Sequence, residues 1–304
     1  MGDIKLKRIK VMIVAAMLIL VLAACGSDSK KITVGAKNFT EQFLLATMTT
    51  LILEENGFEV DEKSNMGSSA LRQALESKQV DITWDYTGTG LVTYLGDEPV
   101  ADKQEAFEKV NEIDQEKNGI YWTNLAEANN TYTVIMRQEQ AKELDISSLS
   151  DLAAYMNDND SELTIATDAE FANRSDGLPG VEETYGFAFN DENIHEMNIG
   201  LNYDALRDEE VDTSVGFATD ARIDAFDFIS LEDDEGFFPS YNAAVAMTED
   251  TYEDYPEIEE ILQPLADALD DEAMRELNYL VDIEDESVKS VAKKYLVENG
   301  LLKE

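Results

Sequence analysis

One cysteine, Cys25, and one histidine, His195, are all that 304 residues offer of the usual thiolate and imidazole chemistry. A lone thiol excludes internal disulfides and thiolate metal sites. A lone imidazole, on a segment that reads as a strand far from that thiol, argues against a zinc centre and a catalytic triad. His195 reads as an ordinary, partly buried residue. Basic side chains are scarce too: 23 Lys+Arg face 65 Asp+Glu, a formal charge of −42. So little positive charge cannot neutralise phosphates, and nucleic acid is a poor partner. No phosphate loop or dinucleotide glycine pattern occurs, since Gly88-Thr-Gly90 lacks the third glycine and a helix behind it. The abundant carboxylates allow a glycosidase-like pair by chance, but nothing singles one out. There is no low-complexity tract and no repeat in the range of roughly 20–50 residues. Neither enzyme activity nor a cofactor is expected.

What is present is enough for a packed core. Hydrophobic residues make up 44% and charged residues 29%, in a chain long enough for two lobes or one large domain. The acidic residues are spread along the chain and form no single tail. Two readings of them stand: a solvated surface that resists association, or a protein working outside the cell in high salt or at alkaline pH. A negative field also favours a cationic ligand, although salt screens that benefit.

Residues 1–24 are set apart from the fold. Lys5, Lys7, Arg8 and Lys10 form a positive head, and Val11 to Ala24 is uninterrupted apolar sequence. That run is short for a membrane span and has the layout of a signal peptide. It ends in Leu22-Ala-Ala-Cys25-Gly26, which resembles the lipobox of bacterial lipoproteins. The resemblance implies cleavage before Cys25, lipidation of its thiol and tethering to the outer face of a membrane through residues 25–30. An uncleaved N-terminal anchor is the alternative. Removal of residues 1–24 leaves 19 basic and 64 acidic side chains, a charge of −45.

From Lys31 the chain alternates strand and helix. Lys31-Ile-Thr-Val-Gly35 reads as a strand, and Phe43 to Glu55 as a helix with Thr40 as its N-cap. A second strand at Phe58-Glu-Val60, a helix from Ala70 to Lys78 after Gly67-Ser-Ser69, and a strand entering Ile82-Thr-Trp-Asp-Tyr86 follow. This order predicts an α/β lobe with a parallel sheet, whose ligands bind at the carboxyl ends of the strands. Helix starts there present N–H groups to an anion. Lys103 to Asn118 reads as a charged helix, and residues 126–136 as loop into strand. A second α/β set then begins: a short helix capped by Ser150, strands at 163–166, 193–198 and 211–218, and helices at 179–186 and 203–209. The tail from Pro256 reads as helical.

Trp84 and Tyr86 lie two apart on one strand face, with Gly88 and Gly90 behind them to turn the chain and admit a ligand closely. An aromatic so placed can wall a small-molecule pocket or simply fill space. Several segments, taken in order, resemble the substrate-binding proteins of osmoprotectant ABC importers, the glycine betaine/carnitine/choline type. They are Lys37-Asn-Phe-Thr-Glu-Gln42, Gly67-Ser-Ser69, Asp85-Tyr-Thr-Gly-Thr89, Asn129-Asn-Thr-Tyr132, Glu170-Phe through Arg174-Ser-Asp-Gly177, Thr219-Asp220 and Pro239-Ser-Tyr-Asn-Ala-Ala244. The match spans nearly all of residues 31–304.

The resemblance implies a two-lobe, type II periplasmic-binding-protein-like fold with two crossing hinge strands near Tyr132 and Asn242. Residues 31–132 and 242–304 would form the first lobe, and 133–241 the second. It implies a cage for a trimethylammonium head, which carries charge but no N–H and therefore favours aromatic faces. Tyr86, Tyr132 and Tyr241 match cage positions, and Phe217 stands where relatives commonly have Tyr; Tyr203 is the alternative for that fourth place and otherwise reads as packing. Gln42, Thr89 and Asn130 match polar positions around the pocket. In relatives an acidic residue at the place of Thr89 goes with choline, so Thr89 leans toward carboxylate-bearing ligands such as glycine betaine and carnitine. Asp85 is expected on the opposite strand face. Arg174 and Asp176 either pair across the lobe interface or form a loop salt bridge. The expected partners are the small ligand, the permease and ATPase of an importer, and a membrane through the lipid; the chain is expected to act as a monomer.

Overall fold

The computed structural model describes residues 30–158 and 163–303. The predicted signal segment, most of the tether and Cys25 lie outside the described residues. Lys30 does not belong to a tether. It opens the first strand, where its ammonium pairs with Glu257 at 2.5 Å.

Two five-stranded mixed sheets organise the chain. The first has the order β2 (Phe58–Met66), β1 (Lys30–Lys37), β3 (Ile82–Tyr86), β10 (Ala243–Thr248) and β4 (Ile120–Thr123). β1 runs parallel to β2 and β3, while β10 is antiparallel to β3 and β4. The second has the order β7 (Ile194–Glu196), β6 (Ile165–Thr167), β8 (Thr213–Phe217), β5 (Tyr132–Arg137) and β9 (Phe228–Ser230). Here β6 is parallel to β7 and β8, and β5 is antiparallel to β8 and β9.

β10 follows the whole second lobe yet pairs inside the first sheet. The chain therefore crosses between lobes twice, once before β5 and once before β10, and Tyr132, expected to end the first lobe, instead opens β5 of the second because it pairs with Phe217. The two crossings are tied together: Asn129 and Asn242 form an antiparallel bridge, and the Asn130 N–H donates to the Tyr241 carbonyl at 3.2 Å. The Tyr241 N–H donates to Asn129 Oδ1 at 2.8 Å. These bonds satisfy the backbone groups of both crossing segments and hold the two side by side.

The helix Thr40–Glu55 buries Leu44, Leu45, Met48, Ile52 and Leu53. Its apolar residues are not confined to one stripe, because the sheet covers one side and the helices Asp271–Asp282 and Val288–Glu298 cover the other. The C-terminal helices have thus returned to the first lobe.

Local expectations fail at three places. Thr40 is the first helical residue and does not cap: Phe39 holds the N-cap position, and the Thr40 hydroxyl donates instead to Asp282 at 2.6 Å. The helix Leu149–Asp158 is capped by Ser148, whose Oγ accepts from the Asp151 N–H at 3.1 Å; Ser150 lies inside the helix. A π-helical turn, Thr89–Tyr94, does stand behind the glycines of the 82–90 stretch. Gly88 has φ −63°, an ordinary helical value. A Cβ there would come within 2.9 Å of the Tyr241 ring, and one on Gly90 within 2.8 Å of Trp122. Both glycines therefore admit aromatic neighbours of the protein itself.

Candidate functional site

A cavity lies between the lobes at the carboxyl ends of β1, β3 and β6, the edge where open α/β sheets hold ligands. Tyr86, Thr89, Asn130, Tyr132, Phe217 and Tyr241 all line it. Gln42 does not. It stands behind the wall, its amide donating to the Tyr86 hydroxyl at 3.1 Å and its Oε1 accepting from the Lys37 N–H at 3.2 Å. Its role is to orient Tyr86 rather than to face the cavity.

Trp84 and Tyr86 do share a face, directed at the Thr40–Glu55 helix. Trp84 is buried beneath it, donating from Nε1 to Thr49 at 2.8 Å, and only Tyr86 reaches the cavity. Asp85 points the other way, as alternation requires. It is buried, accepts from Lys37 Nζ at 2.6 Å and from the Tyr94 hydroxyl at 2.9 Å. Tyr203 is core: fully buried, its hydroxyl accepts from the Phe217 N–H at 2.9 Å, and the Arg222 guanidinium stacks on its ring at 4.3 Å. His195 sits exposed on edge strand β7.

The rings form a continuous set from both lobes. Phe39 and Phe217 stack at 5.4 Å between centroids, and Phe39 and Tyr86 at 6.3 Å. Tyr132 meets Phe217 at 5.0 Å and stands edge-on to Tyr241 at 5.5 Å. The space they enclose is about 20 Å³, room for one water. The lobes are drawn together, and any larger guest requires the rings to part. A wider hollow of about 750 Å³ runs past Arg137, Gln140, Lys142 and Phe226, but it is an open groove on one lobe with no ring cluster.

Two cations stand on the wall, each already paired. Lys37 holds Asp85 and lies 5.1 Å from the Tyr86 ring centre. Arg174 grips Asp176 with Nε at 2.8 Å and Nη2 at 2.5 Å, a loop salt bridge within the second lobe. Both partners then reach beyond that lobe. Arg174 Nη2 donates to Thr89 of the first lobe at 3.4 Å, and Asp176 accepts from the Tyr241 hydroxyl in the hinge at 2.6 Å. Burial pushes the Asp176 carboxyl up, but the Arg174 bond and charge together with Tyr241 outweigh it and hold the group below the usual range.

Sequence reasoning missed Phe39, Glu41 and Asp168. Phe39 lies inside the quoted Lys37–Gln42 stretch, directly after the end of β1, which was the available signal. Glu41 is fully buried behind Tyr86, accepting from the Tyr86 hydroxyl at 2.7 Å and from Thr219 across the lobe interface at 2.7 Å. Burial pushes its carboxyl above the ordinary value, against the hydrogen bonds that lower it. Asp168 follows β6 directly and lines the cavity. A further interlobe contact sits at the helix Ser68–Glu76: the Ser68 N–H donates to Glu170 Oε1 at 2.6 Å. The helix start expected to hold an anion is thus occupied by a carboxylate of the protein itself.

Comparison with known proteins places this geometry. Residues 30–298 match the family model described as the substrate binding domain of ABC-type glycine betaine transport systems. A glycine-betaine-binding protein of Pseudomonas aeruginosa is 36% identical over 285 residues, covering 92% of this chain and 91% of the relative. An ergothioneine transport permease/ergothioneine binding protein of Helicobacter pylori is 31% identical over 276 residues, covering 90% of this chain and 48% of that longer protein. A solved structure titled as a glycine betaine/carnitine/choline ABC transporter is 29% identical with a TM-score of 0.71, covering 89% of this chain and 99% of that one. The two α/β lobes are those of periplasmic binding proteins, and the matching family is one of extracytoplasmic substrate-binding transport proteins rather than enzymes. The chain belongs to the family of substrate-binding domains of ABC-type glycine betaine transport systems.

Proposed function

We propose that this chain captures a quaternary-ammonium compatible solute, glycine betaine first among them with carnitine and choline as further members, and delivers it to an importer's permease and ATPase. The observation that carries this reading is the ring cluster: Tyr86 and Phe39 from the first lobe, Phe217 and Tyr132 from the second, and Tyr241 in the hinge surround one cavity. Faces of this kind attract a methylated ammonium by about 0.5–2 kcal/mol per ring when desolvated. Because the rings come from both lobes, a cation seated among them stabilises the closed form over the open one. Thr89, Asn130 and the Arg174 guanidinium supply donors for a carboxylate at the other end of the ligand.

Cys25 would carry the lipid that holds the receptor at the outer membrane face, and the chain would work there as a monomer. Tyr86→Ala and Tyr241→Ala test the cage. Each is expected to abolish calorimetric binding of glycine betaine while the thermal transition persists. Unchanged affinity in both variants would overturn the assignment.

A further inference from the structure

Asp168 stands at the carboxyl end of β6 and is 8% exposed. Its two oxygens differ. Oδ1 accepts from the backbone N–H of Glu170 at 2.8 Å and of Phe171 at 3.3 Å, which fixes the following turn. Oδ2 is buried with no hydrogen-bond partner, one of three such side-chain atoms among the described residues. A turn that needs one oxygen does not explain why the residue keeps a second acceptor out of water, where an unmet group costs about 1–3 kcal/mol. An asparagine would make the same turn without that second carboxylate oxygen.

The position of Asp168 gives the spare oxygen a use. With Asn38, Glu170 and Ile199 it lines both the ring-walled cavity and an adjoining, more open hollow of about 480 Å³. It therefore stands where the cage opens outward, beside the path of any ligand longer than its trimethylammonium head. Burial raises its carboxyl above the ordinary value, against the Glu170 and Phe171 N–H bonds that lower it.

We propose that Asp168 is a specificity-determining residue: its Oδ2 accepts a hydrogen bond from an O–H or N–H on the ligand, so the site favours quaternary-ammonium solutes that carry such a donor beyond the head. The proposal rests on the receptor reading above. Glycine betaine has no donor for Asp168 and takes from it only the charge attraction that every trimethylammonium ligand shares. A hydroxyl, as in carnitine, and a ring N–H, as in ergothioneine, are the two sources of the same chemistry.

Calorimetry on the wild-type chain supplies the first arm, with carnitine set against its deoxy analogue 4-trimethylammoniobutanoate; ergothioneine and glycine betaine are measured beside them. Asp168→Asn supplies the second arm. It keeps an oxygen for the Glu170 and Phe171 N–H groups and puts an amide donor in the place of Oδ2. In the hydroxyl case, carnitine binds the wild type about tenfold or more tighter than its deoxy analogue. That ratio collapses in Asp168→Asn, a loss greater than that of glycine betaine, which reports the shared charge attraction alone. In the ring N–H case, ergothioneine instead loses about tenfold or more in Asp168→Asn. The proposal is overturned if neither donor-bearing ligand loses affinity, or if glycine betaine loses as much as they do. Failure of all four ligands to bind the wild type would instead remove the receptor reading itself, and this proposal with it. Should Asp168→Asn fail to fold, the wild-type comparison still overturns the hydroxyl case if carnitine binds no tighter than its deoxy analogue, and Asp168→Ser, whose hydroxyl oxygen can accept from the same turn N–H groups, takes the variant's place.

Discussion

The hydroxyl of Tyr241 donates to Asp176 Oδ2 at 2.6 Å, and the same carboxylate holds the Arg174 fork. One hinge tyrosine thus both presents a ring face and fixes the cation beside it. Tyr241→Phe keeps the ring and removes the tether. Unfolding by denaturant should show a loss of about 1–3 kcal/mol, the cost of depriving a buried carboxylate of a donor. Glycine betaine affinity should fall by no more than about fivefold, because the π face remains.

Phe39 is the ring that joins the lobes, stacked on Phe217 with planes 16° apart and on Tyr86 with planes 22° apart. Phe39→Ala removes one cage face and the only ring of the set placed between those two. Calorimetry should show glycine betaine affinity reduced about tenfold, in line with the loss of one cation–π contact plus interlobe stacking. Because Phe39 is only half-buried, the melting temperature should move little.

Glu41 sets a pH dependence whose sign follows from its burial. Its carboxyl is raised in the folded state, so folding takes up a proton between the ordinary value of 4.5 and the folded one. Stability from this group is fully present below 4.5 and is lost as pH rises through the folded value. Glu41→Gln removes that cost. The new amide N–H can donate to the Thr219 hydroxyl, whose single proton then turns to Asn130 Oδ1 at 2.9 Å, and the amide oxygen can accept from Tyr86. The variant's melting temperature should exceed the wild type's at pH 7.5, with the gap closing by pH 4. A gap independent of pH would show that Glu41 is not the titrating group.

Away from the cavity, Arg72 and Asp114 form a buried two-bond pair at 2.6 and 2.5 Å, and Trp122 Nε1 donates to the same carboxylate at 2.8 Å. Asp114→Ala leaves a buried guanidinium without its main partner and should cost about 3–5 kcal/mol in denaturant unfolding. Ligand affinity measured well below the transition should be unchanged.

Much of this architecture was legible in the chain. The alternation of strand and helix announced two α/β sets, and the ordered motifs brought Tyr86, Tyr132, Phe217 and Tyr241 to one cavity. What escaped was non-local. Glu41 reads as an ordinary acidic residue of a first helical turn; it is buried because Thr219, 178 residues away, and the C-terminal helices close over it. Gln42 looked like a ligand donor, but spacing cannot say that its amide is spent on Tyr86. Gly88 and Gly90 suggested a turn, whereas their reason is the nearness of Tyr241 and Trp122, both distant in sequence. Asp168 carries no local signal at all, since only the folded structure reveals that one of its oxygens is left without a partner.

In the proposed receptor the rings recognise positive charge, and not shape alone. Calorimetry with glycine betaine and with 3,3-dimethylbutanoate, which replaces the ammonium nitrogen by carbon at nearly the same shape, isolates that charge. Saturable glycine betaine binding should be at least about 100-fold tighter than that of the carbon isostere, the sum of a few cation–π contacts. Equal affinities for the two, or tighter binding of the isostere, would contradict it.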